Sequence, residues 1–256
     1  MVSNFIQLSD SFLINPIAHR GLHDCGYFKG TENAPENSRA AIMQAMKLGF
    51  GVEIDVRISK DGVLFVVHDQ NLSRLCAVDV NVSESNYCDL LQARLKNMEF
   101  LPTLDEILNI IKGNVPILID VKSEVQDEKE ELIATVICDH VKHYTGPLAL
   151  MSFNWGVIIA LESHDIGKPR GLVSQVFDKS RRLFISDTEK SGIPEDSLTS
   201  HGVSFISHEC CNVSKDLYKI NVKANRKVFT WTVCDKDMAL RVRDNCDNIT
   251  FEGFMP

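Results

Sequence analysis

Short β-branched apolar runs recur along this chain and alternate with stretches of helical periodicity, a rhythm that restricts the fold more than any other feature. The runs fall at 16–19, 51–56, 63–67, 116–122, 148–152, 170–174, 203–207 and 228–233. Helical patterns follow most of them. One opens at Pro35 and stops at Gly49. Another opens at Thr103, with Glu106 three residues on as the partner of a capping box. Further patterns cover about 127–143, 154–162, 180–188, 215–224 and 236–244. Strands alternating with helices imply parallel strands joined by crossovers. Eight such units in 256 residues predict an α/β chain folded as a single (β/α)8 TIM barrel over residues 1–256. The doubly wound alternative lacks its Gly-rich phosphate loop, because the residues after the first strand, 21–26, do not carry that spacing. The stretch 70–100 fits the rhythm least and predicts one helix near 85–95 with loops around it.

A net charge of −8 without a Lys/Arg run argues against a nucleic-acid or anionic-membrane surface. The eight cysteines (25, 76, 88, 138, 210, 211, 234 and 246) include no Cys-x-x-Cys pair. With no apolar run of signal-peptide length before Ile17 and none able to span a bilayer, they read as reduced thiols of a cytoplasmic protein.

Within the second strand, Glu53 and Asp55 are two apart and so share one face, while Val52, Ile54 and Val56 share the other. Two carboxylates side by side need water, a counter-charge or a metal. In a β/α barrel the chemistry gathers at the C-terminal ends of the strands. There this chain places His19 and Arg20, His68 and Asp69, Asp120 and Lys122, Ser152 and Trp231. Each residue alone has a structural reading; their conjunction at matched strand ends favours a site. Glu53, Asp55 and Asp120 suit one hard divalent cation such as Mg²⁺, Ca²⁺ or Mn²⁺. His19 and His68 suit a general acid and base, and Arg20 and Lys122 suit a phosphoryl group. The set describes displacement at a phosphodiester.

These residues also stand in a familiar order. Ala18-His19-Arg20-Gly21, Pro35-Glu36-Asn37-Ser38, Glu53-Ile54-Asp55-Val56, Asp61-Gly62, His68-Asp69, Leu101-Pro102-Thr103-Leu104-Asp105-Glu106, Asp120-Val121-Lys122, Ser152-Phe153 and Trp231-Thr232-Val233 together resemble the glycerophosphodiester phosphodiesterases. The resemblance covers nearly the whole chain and is densest over 17–122. It implies a β/α barrel that hydrolyses glycerophosphodiesters to sn-glycerol 3-phosphate and an alcohol, with His19 and His68 as the acid–base pair. Glu53, Asp55 and Asp120 would hold the metal. Arg20 and Lys122 would contact the phosphate, with Glu36, Asn37 and Trp231 lining the site. Asn37 has a second reading as a helix cap.

Three departures stand out: Asp120 where the family more often has Glu, a longer loop 22–34 carrying His23, Asp24 and Glu32 that reads as surface, and a last segment, 249–254, without the family's Thr-Asp close. The segment after His68 is too short for a large cap, which implies an open site. The implied partner is a small glycerophosphodiester, with no nucleic acid and no integral membrane contact; a homo-oligomer is left open. The nucleophile is either water or the glycerol 2-hydroxyl. Rival readings are a phosphodiesterase of lysophospholipids or sphingolipids, a lyase or isomerase barrel with Lys122 as base, and an inactive ligand-binding barrel.

Overall fold

The computed structural model describes residues 5–23, 33–123, 129–186, 188 and 190–256. Eight parallel strands run in chain order: β1 (Ile17–Ala18), β2 (Gly51–Ile58), β3 (Ile117–Val121), β4 (Leu148–Ser152), β5 (Arg170–Ser174), β6 (Phe205–Glu209), β7 (Lys227–Val233) and β8 (Asn248–Phe251). Each pairs with its chain neighbours, and β1 pairs with both β2 and β8, so the sheet closes on itself. Among the described residues, the crossovers carry helices α1 (Arg39–Lys47), α2 (Leu104–Ile111), α3 (Glu130–Val141), α4 (Trp155–Ser163), α5 (Glu195–Ser200), α6 (Lys215–Lys223) and α7 (Lys236–Val242). The capping box at Thr103 and Glu106 forms as its spacing predicts, each side chain satisfying the other residue's backbone N–H.

The barrel has the expected number of strands but a different set of them. Residues Leu64–Val66 form a strand antiparallel to β2, hairpinned through the Lys60-Asp61-Gly62 turn. So short a connection cannot make the crossover that a parallel strand needs. The eighth barrel strand is β8, whose four residues include Asn248 and Thr250 and give little apolar signal. The helix expected over 180–188 is instead part of a small antiparallel ribbon of Val176–Asp178, Leu183–Ile185 and Ile193–Pro194. There Phe184 is buried between two less buried neighbours, a period of two, and its ring packs 4.8 Å from Phe177. The helix expected near 85–95 shrinks to Tyr87–Leu90. Around it, residues 65–101 close over a cluster of their own that includes Leu72, Leu75, Val82, Leu90 and Leu95.

Strand alternation sorts the core as the sequence predicts. Val52, Ile54 and Val56 pack outward with Ile117, Ile119 and Val121 against the helices. Glu53, Asp55, Leu118 and Asp120 therefore point inward. Below them Phe205 and Phe229 fill the barrel edge to face with ring centroids 5.5 Å apart. Phe12, from a helical turn at Ser11–Ile14, plugs the N-terminal end against Phe229 at 6.5 Å. Above that apolar floor, the inward-facing charged groups Glu53, Asp55 and Asp120 gather at the opposite, C-terminal mouth.

Candidate active site

A pocket of about 280 Å³ opens at that mouth. His19 and Arg20 enter it from the end of β1, Glu53 and Asp55 from β2, and Asp120 and Lys122 from β3, while His68 follows the hairpin strand. Asp55 and Asp120 are register partners across the β2–β3 ladder, which puts their inward side chains side by side. One ligand atom from each of Glu53, Asp55 and Asp120 fits within a mutual separation of 4.8 Å, and all three residues are buried. Burial together with Asp55 and Asp120 pushes Glu53 well above its ordinary value. Burial and the Asp55 charge likewise raise Asp120. Burial opposes ionisation of Asp55 too, but Lys122 and Arg20 override it and hold that carboxyl far below the usual range.

Two cations serve these three carboxylates. Lys122 Nζ sits 2.9 Å from Asp55 Oδ1 and 2.6 Å from Asp120 Oδ2. It also lies 5.2 Å from the centre of the Phe153 ring, within cation–π range. Burial works against the Lys122 charge, and Asp120 and Asp55 more than offset it, so its pKa is raised. Arg20 adopts φ +55°, a left-handed conformation unusual for an arginine. That bend aims its backbone N–H at Glu53 Oε2 (2.9 Å), while its guanidinium lies 2.8 Å from Glu36 Oε1 and 3.2 Å from Asp55 Oδ2. Since Glu36 shares Arg20, the cluster is short of positive charge. Asp120 Oδ1 is buried with no hydrogen-bond partner. An all-oxygen donor set with an orphaned carboxylate oxygen fits a hard divalent cation.

Both histidines are tethered through the same ring nitrogen. His19 Nδ1 lies 2.6 Å from Glu252 Oε2, and His68 Nδ1 lies 2.8 Å from Asp69 Oδ1. The His19 and His23 contacts hold Glu252 well below the usual carboxylate range, and Arg74 with His68 overrides partial burial to bring Asp69 to about 2. Both carboxylates are therefore ionised near neutrality and can only accept, so each Nδ1 donates and each Nε2 is left for other partners. Burial, with help from Lys122 and Arg20, lowers the pKa of His68, against the opposing pull of Asp55.

Two residues expected to line the pocket stand behind its wall. Asn37 is buried, donates through Nδ2 to Asp55 Oδ2 (2.8 Å) and accepts the Asp55 backbone N–H through its own oxygen (3.2 Å). It does not cap α1; Ser38 does, accepting the N–H of Ala41. Glu36 bridges Arg20 to Arg74, a residue of the 65–101 segment. Trp231 does line the pocket, its Nε1 donating to Ser207 O (3.0 Å) and its ring set edge to face on Phe153 at 5.4 Å. Sequence reasoning missed Glu252; recognising β8 as a barrel strand puts it at a strand end beside His19. His23, expected on a surface loop, lies 3.4 Å from Glu252. Asp24, Cys25 and Glu32 fall outside the described residues.

The fold and this mouth define a β/α barrel with a buried polyacidic pocket. Residues 19–250 match the model of the glycerophosphoryl diester phosphodiesterase family, and the chain belongs to that family. A human lysophospholipase D is 34% identical over 126 residues, and a glycerophosphodiester phosphodiesterase from Caldanaerobacter subterraneus is 34% identical over 114. Those alignments take in 43% and 41% of this chain, and only 37% and 43% of the relatives' own lengths. The fold matches a phosphodiesterase from Oleispira antarctica, solved in complex with the product sn-glycerol 3-phosphate, with a TM-score of 0.79 at 23% identity over 96% of both chains. A glycerophosphodiester phosphodiesterase from Parabacteroides distasonis matches with a TM-score of 0.74 at 22% identity, over 92% of this chain and 91% of that one.

Proposed function

We propose that the protein hydrolyses glycerophosphodiesters to sn-glycerol 3-phosphate and an alcohol, and that residues 1–256 act as one domain. Family membership supports the reaction class. The single observation that carries the residue roles is the pair of carboxylate-tethered histidines, His19–Glu252 and His68–Asp69, set around the three buried carboxylates. Glu53, Asp55 and Asp120 would hold one divalent cation, Mg²⁺, Ca²⁺ or Mn²⁺. When bound it supplies charge that polarises a phosphodiester oxygen.

The remaining steps belong to the chain's own side chains. A histidine whose Nδ1 donates to a carboxylate presents a lone pair at Nε2 and can take a proton from the attacking hydroxyl. The other histidine, protonated, returns a proton from Nε2 to the leaving alkoxide. Glu252 and Asp69 fix the two rings and stabilise whichever is cationic. Arg20 and Lys122 offset charge developing on the phosphoryl oxygens. Phe153 and Trp231 bound the space open to the substrate. Attack by water yields glycerol 3-phosphate directly, whereas attack by the glycerol 2-hydroxyl passes through a cyclic phosphate that rapid quenching would trap. The cysteines described, all unpaired, support a reducing cytoplasm as the setting. Among the described residues no helix is long and apolar enough to cross a membrane.

The test is release of glycerol 3-phosphate from glycerophosphocholine and glycerophosphoethanolamine by metal-stripped protein, with Mg²⁺, Ca²⁺ or Mn²⁺ added back singly. Release should return with at least one cation. Folded protein inert with all three would sink the proposal. The apolar part of the wall, Met151, Phe153, Val173 and Trp231, favours a second reading in which a lysophospholipid is the substrate. Lysophosphatidylcholine assayed alongside separates the two by the faster substrate.

A further inference from the structure

Beside the carboxylate cluster, on the outer side of His19, lies a second group of ligand atoms with different chemistry. We propose that His19, His23 and Glu252 form a separate metal site for a borderline transition metal such as Zn²⁺, and that its occupation switches off His19. The consequence for activity rests on the role proposed above for His19; the site itself does not.

One atom from each residue comes within 4.8 Å of the others. Glu252 Oε2 is 2.6 Å from His19 Nδ1 and 3.4 Å from His23 Nε2. Tetrahedral zinc, with bonds of about 2.0–2.1 Å, holds its ligand atoms roughly 3.3 Å apart. The donors therefore need only small shifts. His23 Nε2 is shut off from solvent and makes no hydrogen bond of good geometry; it faces Glu252 Oε2 at 3.4 Å, itself a ligand of the proposed site, so a metal between them would replace a loose contact. Two ligands sit on firm backbone: the His19 N–H donates to Phe251 O (2.9 Å) and the Glu252 N–H to Val233 O (3.0 Å), just beyond the β1–β8 register. The three side chains are partly exposed, at 14%, 20% and 33%, which leaves a path for entry and an open coordination position. Two imidazoles and one carboxylate favour zinc, cobalt or nickel over the magnesium or calcium suited to the all-oxygen cluster.

The effect on His19 follows from its proton inventory. In the tethered state Nδ1 carries the proton and Nε2 the free lone pair. Metal at Nδ1 displaces the Glu252 hydrogen bond, and the proton moves through solvent to Nε2. The ring is then an N–H donor with no lone pair to accept a proton, so it cannot complete an acid–base cycle. Zinc would inhibit without displacing the cation held by the carboxylates.

The test uses the intact protein in saturating Mg²⁺. Co²⁺ is titrated in while its visible absorption is followed, Zn²⁺ is then used to displace it, and glycerol 3-phosphate release is measured in parallel. Wild type should bind one Co²⁺ with a low-symmetry visible band, exchange it for Zn²⁺ and lose turnover as Zn²⁺ binds. His23→Ala should weaken Co²⁺ binding and Zn²⁺ inhibition by more than about tenfold, with basal turnover kept. Asp120→Asn should keep the cobalt band, which places the ion outside the carboxylate cluster. No cobalt band in wild type, or a His23→Ala variant that binds as wild type does, overturns the site. If the substrates are turned over with none of Mg²⁺, Ca²⁺ and Mn²⁺, the functional reading fails while the cobalt titration still decides the site.

Discussion

Each histidine of the pocket is held by its own carboxylate, and that makes the pair sensitive to single substitutions in a way the rest of the mouth is not. His19→Ala and His68→Ala each remove one of the two proposed proton carriers from a partly exposed position and should leave the far-ultraviolet spectrum and Tm close to wild type. Turnover of glycerophosphocholine should fall by roughly 10²–10⁴-fold in each; near-normal rates in either variant would remove that residue from the mechanism. His68 offers a finer check. Burial, Lys122 and Arg20 disfavour its imidazolium, so its ring should titrate below the ordinary value of about 6.5. A pKa lower in the folded than in the unfolded state costs stability as pH falls below about 6.5. Asp69 opposes the shift, so Asp69→Asn should move the His68 midpoint lower still, as read by the imidazole C–H resonances in NMR. A midpoint that rises in Asp69→Asn contradicts this electrostatic account. Residue types at the mouth are legible in sequence because an apolar strand gains nothing for its own packing from His, Asp or Lys at its end. Asn37 is legible only as a polar residue near the site. Local spacing cannot reveal a side chain that reaches across to a neighbouring strand and takes both the Asp55 side chain and its backbone N–H.

Elements are legible where burial imposes a period and illegible where length decides. Strands β2 to β5 are rich in aliphatic residues and buried almost throughout, as strands covered on both faces must be, and they stand out even with Glu53, Asp55 and Asp120 set among those residues. β8 is short and half polar, and its place is set by pairing with β7 and β1 rather than by its own sequence. The apolar run at 63–67 looks like a barrel strand in composition; only the brevity of the turn before it shows that it must return antiparallel. Losing one strand and adding another leaves the count at eight, so the architecture comes out right for a partly wrong reason, and Glu252 stays hidden with β8. Inside the barrel one neighbour pair sets a narrow tolerance. Gly171 on β5 is the register partner of Phe205 on β6, and a Cβ at 171 would overlap the Phe205 ring, itself wedged against Phe229. Gly171→Ala should therefore destabilise the protein by about 1–3 kcal/mol through overpacking. In a chain of this size that lowers Tm by a few degrees. An unchanged Tm would mean that the Phe205 ring has room to move.

At the scale of the whole molecule, closing the barrel forces a conflict that the chain alone does not resolve. The inward faces of β2 and β3 bring Glu53, Asp55 and Asp120 together because the ladder places Asp55 opposite Asp120, and the apolar floor beneath them excludes water. Two cations reach the cluster and one is shared with Glu36, so a fold with these carboxylates ionised stores repulsion that the unfolded chain does not. A divalent cation held there would relieve that repulsion only in the folded state, which would make binding and folding one linked equilibrium. At a free metal concentration near one hundred times Kd the linkage is worth about 2.7 kcal/mol. At roughly 2–4 °C per kcal/mol for a chain of this length, that raises Tm by about 5–10 °C. Differential scanning calorimetry of stripped protein with Mg²⁺, Ca²⁺ and Mn²⁺ added separately should show the rise for at least one of them, scaling with the logarithm of its concentration. Asp120→Asn removes a proposed ligand and part of the mutual repulsion at once, so this variant should be at least as stable as wild type without metal and gain far less from its addition. A wild-type Tm indifferent to all three ions, or an equal gain in Asp120→Asn, would mean that Lys122 and Arg20 already satisfy the cluster and that no cation is held there.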